Sequence, residues 1–531
     1  MTTASYAKVS TDEVRAALVA RDEIALLDVR EEDPFAQSHP LWAANLSLSK
    51  LELEAWGRIP RRDTRIVVYD DGEGLAERAV ERLTVLGYTD VNLLDGGLAG
   101  WRDSGGELFR DVNVPSKSFG ELVEARRHTP SLSAEEVQSL LLQSADVVVL
   151  DARRFDEYQT MNIPGSTSVP GGELVLRARE LAPDPATRVI VNCAGRTRSI
   201  IGTQSLINAG LPNPVAALRN GTIGWTLAGQ ALEHGASRRF GPEVNSAHRE
   251  AARSAAVDVA RRAGVAWVDA ATLARWLQQA RRTTYRFDVR TPEEYVAGHR
   301  AGFRSAPGGQ LVQETDVHAP VRGARLVLTD DEGVRAAMTA SWLAQMGWQV
   351  AVLDAPWPSA HALEIGADTP PRPVPPDVRS VTPARLADWL ATGEVAVIDI
   401  TASMNHVKRH VPGAWFAVRS QLPELLSRVG TPRRLVLTCG SSLLARFAAK
   451  DIEPLTASEV WVLEGGTAAW VAAGLPVESG ETRLLSKRID RYRRPYEGTD
   501  NAAAAMQAYL DWEFGLVEQL RRDGTHHFFV L

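Results

Sequence analysis

Residues 188–211 read RVIVNCAGRTRSIIGTQSLINAGL, and the order of residue types in this stretch governs how the remaining chain is read. RVIVN is a short apolar run of the kind that forms a buried strand. RSIIGTQSLINAGL carries its apolar residues on one helical face, and Gly210 follows as a C-terminal cap. Between them lies a loop with a cysteine and two arginines: Cys193, Ala194, Gly195, Arg196, Thr197, Arg198 and Ser199. A loop between a strand's C-terminal end and a helix N-terminus is where open α/β sheets keep their ligands.

The same strand–loop–helix pattern occurs four times, its loop beginning at Asp70, Cys193, Asp330 and Cys439. Each copy opens with an apolar strand that meets an aspartate: IALLDVR (24–30), VVVLDAR (147–153), YRFDVR (285–290) and VAVIDIT (395–401). Each closes on a strand leading to Trp101, Trp225, Trp357 or Trp470, expected as core or hinge aromatics. Short V/I/L-rich strands between helical patterns predict an α/β fold of four tandem domains, each a parallel sheet flanked by helices. The units expected are 1–115, 130–238, 262–368 and 378–480, followed by a helical extension over 481–531. Joints are expected at 113–119, near 236–264 and at 369–378. In the extension, Asp500 is the expected helix cap, and the helix is expected to pack on a neighbouring domain or a second subunit. A homodimer through the extension is the partner expectation that follows.

A 531-residue chain is too long for one core. Its net charge of −7 disfavours binding to a phosphate backbone, so no nucleic-acid partner is expected. No run of 18 uncharged apolar residues occurs, and the N-terminus lacks the basic head and apolar stretch of a secretion signal. No membrane association and a reducing cytoplasm are the expectations. With two cysteines and no CxxC or HxxxH spacing, neither a disulfide framework nor a metal site is expected.

A cysteine at a helix N-terminus is surrounded by inward-pointing backbone N–H groups, which favour its thiolate. Arg196 and Arg198 add positive potential, so the loop should attract anions. Aspartates at 70 and 330 suit the same electrostatics but cannot act as sulfur nucleophiles.

These residues resemble the rhodanese sulfurtransferase family, over nearly the whole chain to about residue 480. In the second unit the matching features are Asp151-Ala152-Arg153, Glu157-Tyr158, Ile163-Pro164-Gly165-Ser166, the Cys193–Ser199 loop, and Asn220-Gly221 with Trp225. The resemblance implies a cofactor-free two-step cycle in which Cys193 takes a sulfane sulfur from a small anionic donor such as thiosulfate. The resulting persulfide passes it to cyanide or a thiol. The amides of residues 194–199 would hold the persulfide, and Arg153 would line the pocket or pair with Glu157. Cys439, in a loop without a cation, is the second catalytic candidate, although Thr401 stands where the motif has arginine. Domains 1 and 3 would be inactive, as in a duplicated two-domain enzyme whose first half supports its second. The alternatives are a non-catalytic scaffold and a cysteine phosphatase of the same fold. Only four residues separate Cys193 from Arg198, which disfavours the phosphatase.

Overall fold

The computed structural model describes residues 6–531, so the first five residues of the first expected unit lie outside it. In the second repeat the strand order is Ser131–Leu132, Val215–Leu218, Arg188–Asn192, Val147–Asp151 and Thr167–Ser168, all parallel. The other three repeats build sheets of the same order. The four sheets follow from the runs read above: each long strand is apolar on both faces, as a parallel sheet between helical layers requires. The third repeat departs in one respect. The others carry a short helix after the last long strand, at Gly97–Asp103, Gly221–Leu227 and Gly466–Ala472. The third has Ala355-Pro356 there and no α-helix, and Trp357 stacks with the guanidinium groups of Arg290 and Arg300 instead of entering a core. Trp101, Trp225 and Trp470 are fully buried.

The domains do not pair in chain order. The second and third meet through Pro170-Gly171-Gly172 and Pro307-Gly308-Gly309, with Trp342 donating to Ser205 and Arg335 to Glu173. A Cβ added at Gly172 would lie 3.1 Å from the Gly309 nitrogen, so the two backbones touch where no side chain fits. The first and fourth meet through the equivalent segments. There Ser420 N–H donates to Ser49 at 3.0 Å, and Arg419 forms a bidentate pair with Glu52. The expected arrangement, first half supporting second, is therefore replaced by pairs 2–3 and 1–4. A strand of the third repeat, Val321–Arg322, also joins the first repeat's sheet antiparallel to Ile24 and Ala25. One continuous apolar cluster spans repeats one to three, while the fourth keeps clusters of its own.

The stretch expected as a joint at 113–119 is the start of a helix, Val114–Arg127, whose residues 114–123 are all buried. The linker near 236–264 forms Ser246–Arg262. The extension differs from expectation too. It holds two helices, Ala503–Phe514 and Leu516–Asp523, and Asp500 pairs with Arg493 instead of capping. Leu516 and Leu520 enter the first repeat's core, and Met506, Tyr509 and Leu510 pack on Ile223 of the second. The apolar face expected at a dimer interface is thus engaged within the chain. No helix among the described residues is long and apolar enough to cross a membrane.

Candidate active site

The clearest view of what the loops hold comes from the two repeats without cysteine. Asp330 accepts hydrogen bonds from the N–H groups of Gly333, Val334 and Arg335 at 3.0, 3.1 and 2.9 Å. Asp70 accepts from Gly72, Leu75 and Ala76 at 3.1, 2.6 and 3.1 Å. In both, a side-chain carboxylate fills an anion seat made of loop amides and the first turn of a helix.

At Cys439 the amides of Ser441, Leu444 and Ala445 point at the sulfur and pull against the burial that raises its pKa. At Cys193 the amide of Ser199 does so, and Sγ–H donates to the Ser199 hydroxyl at 3.4 Å. That hydroxyl donates in turn to the Arg196 carbonyl at 2.8 Å. Burial nevertheless pushes both thiols above their ordinary value, against the expected depression, with Arg198 and Ser199 pulling the other way at Cys193. The backs of the loops are pinned alike. Thr222 and Ile223 N–H groups bind the carbonyls of Cys193 and Ala194, and Thr467 and Ala468 bind those of Cys439 and Gly440. Gly221 has φ +55°, and a Cβ there would collide with the Cys193 carbonyl, so glycine is required.

The guanidinium groups of Arg153 and Arg196 are both engaged by carboxylates away from the sulfur. Arg153 is buried against Asp151 at 2.7 Å and donates to the Met161 carbonyl; it does not pair with Glu157. Arg30 and Arg290 make the same pairs, with Asp28 and Asp288, in the repeats that lack cysteine. The motif arginine therefore stitches a strand end to the following loop. Where Thr401 replaces it, His406 takes over, its Nδ1 2.9 Å from Asp399, stacked 3.8 Å from His410. Arg196 turns to the linker helix, pairing with Glu121 at 2.7 Å and Glu124 at 2.6 Å and covering the Phe514 ring. Arg198 remains beside the sulfur and forms a bidentate pair with Glu157. Burial alone would raise the Glu157 carboxyl, but Arg198 and Arg153 hold it down to about 2. Ala194, Gly195 and Thr197 are buried with the loop, and Thr197 packs on Gly120 of the linker helix.

Two features escape the repeat pattern. The linker helix and the extension form a roof over the Cys193 loop: a Cβ at Gly195 would lie 3.2 Å from the Tyr509 ring and 3.5 Å from Glu513 Oε2. The loop at Cys439 has no such cover, since Gly440 and Ser441 are exposed.

The rhodanese-like domain family matches residues 10–104, 133–228 and 382–473. The chain belongs to the rhodanese sulfurtransferase family. The unmatched third repeat is the one that lacks the short helix after its last long strand. A crystal structure of a thiosulfate sulfurtransferase from Pseudomonas aeruginosa is 68% identical, with a TM-score of 0.97, over 99% of this chain and 100% of that one. Two curated thiosulfate sulfurtransferases match shorter stretches. One from Pseudomonas aeruginosa is 32% identical over 30% of this chain and 66% of its own length. One from Azotobacter vinelandii is 28% identical over 30% of this chain and 59% of its own length. This chain thus spans less than two thirds of either of these two rhodanese relatives.

Proposed function

We propose that this rhodanese carries a sulfane sulfur from a small anionic donor such as thiosulfate to cyanide or a thiol, through a persulfide on Cys193. Cys439 serves as a second such site. The Cys193 thiolate attacks the outer sulfur of the donor, an S–S bond forms, and sulfite leaves with the electron pair of the broken bond. The acceptor then attacks the terminal sulfur, and Cys193 leaves as thiolate. The persulfide intermediate is an anion at the mouth of the loop, where preorganised amides and Arg198 stabilise charge. The supporting observation is that Asp330 places a carboxylate on three amides of the equivalent loop. The same chain thus holds an anion where the cysteine repeats would hold their persulfide. Cys193 and Cys439 are free thiols, in keeping with a reducing cytoplasm as the working compartment.

Treatment of the full-length protein with thiosulfate, followed by mass spectrometry of its peptides, tests this reading. Both cysteine peptides should gain the mass of one sulfur atom and lose it on addition of cyanide. A Cys193 peptide that never gains sulfur refutes the assignment.

A further inference from the structure

The roof over Cys193 contains a carboxyl group that no part of the cycle uses. Glu513 is fully buried; its Oε1 accepts from the Tyr509 hydroxyl at 2.8 Å. Its Oε2 has no partner among the described residues and faces Gly195 of the Cys193 loop. The nearby cations are already engaged. Lys117 pairs with Asp111 and faces the rings of Tyr496, Tyr509 and Trp512, Arg196 is held by Glu121 and Glu124, and Arg198 by Glu157. Burial, with the Glu121 carboxylate next, raises Glu513 to about 8, against the weaker pull of Lys117, Tyr509 and Arg196. Its charge is felt at the sulfur, where it pushes Cys193 up.

We infer that Glu513, supplied by the extension, is the specificity-determining residue that governs entry of anions to the Cys193 loop. In its neutral form the carboxyl can donate its proton to an arriving anion. Ionised, it puts a bare negative charge beside the loop and turns the anion away. This deepens the sulfur-transfer reading, which supplies the anionic donor, but it concerns access and can be tested without turnover.

The probes are iodoacetate and iodoacetamide, which consume the same thiolate but differ by one negative charge. In full-length Cys439→Ala protein only Cys193 remains to react. The ratio of the two alkylation rates cancels the thiolate fraction and reports the field at the loop. Between pH 6.5 and 9.5 the ratio should fall at least about tenfold, the effect of one charge roughly 12 Å away at an effective dielectric of about 20. Glu513→Gln in the same background should hold the ratio level. Tyr509→Phe removes the donor that favours the ionised carboxylate, so it should move the midpoint to higher pH. Should Glu513→Gln melt early, the Tyr509→Phe midpoint decides. An equal fall with and without Glu513, an unmoved midpoint, or a Cys193 inert to both reagents overturns the inference. Thiosulfate loading of Cys193 is measured separately. If loading fails while the ratio stays gated, the sulfur-transfer reading falls and the charge gate stands.

Discussion

Cys193 and Cys439 occupy the same position in two copies of one fold, and both sulfurs are buried, at 1% and 4% exposure. Their surroundings differ. Residues 194–197 are buried beneath the linker helix and the extension, whereas Gly440 and Ser441 face solvent. Arg198 stands beside Cys193, while Leu444 takes that place beside Cys439. The local loop supplies an anion seat in either setting. What covers it is set by elements that come from elsewhere in the chain. The loop of the second repeat lies under a roof, and that of the fourth is open to solvent at Gly440 and Ser441.

The largest effect that would break this comparison is on turnover. In a Cys439→Ala background, Cys193→Ala should lower thiocyanate formation from thiosulfate and cyanide by at least about a hundredfold, as loss of a nucleophile does. Cys439→Ala should leave most of it; the reverse ranking would make the open loop the principal site. Next comes the charge partner of the strand-end aspartate. His406→Phe leaves Asp399 buried and unpaired, and chemical denaturation should show a loss of about 3–5 kcal/mol. Adding Thr401→Arg should recover much of it by restoring the pair that Arg153 makes with Asp151. Gly195→Ala pushes a methyl against the Tyr509 ring and should cost about 1–3 kcal/mol in the same measurement. Gly440→Ala meets nothing within 4 Å and should stay within about 0.5 kcal/mol. The smallest effect concerns acid. Glu157 titrates lower folded than unfolded, so its contribution is present above about pH 4.5 and is lost as pH falls through about 2. Glu157→Gln should flatten the stability profile only in that acid window.

Much of the site was legible in residue order. The strand–loop–helix pattern around Asp70, Cys193, Asp330 and Cys439 placed all four loops, because periodicity and loop amides are properties of short windows. The side-chain directions of Arg153 and Arg196 were not legible for a common reason: a window shows that a cation is near the loop, but not which way it turns. Arg153 is taken by Asp151 two residues away, and Arg196 by a helix some seventy residues upstream. The Cys193 thiol is not depressed for a related reason: burial, which a short window does not show, outweighs the pull of Arg198.

From the sequence alone follow the fourfold repeat, the parallel sheets, and which loops carry a nucleophile and which a carboxylate. Each of these depends on residues within about a dozen positions of one another. The tertiary structure decided that the second repeat pairs with the third and the first with the fourth. It also set His406 in the seat of a missing arginine and Glu513 over Gly195. These depend on complementary surfaces brought together by packing, across separations that local hydrophobic patterning does not encode.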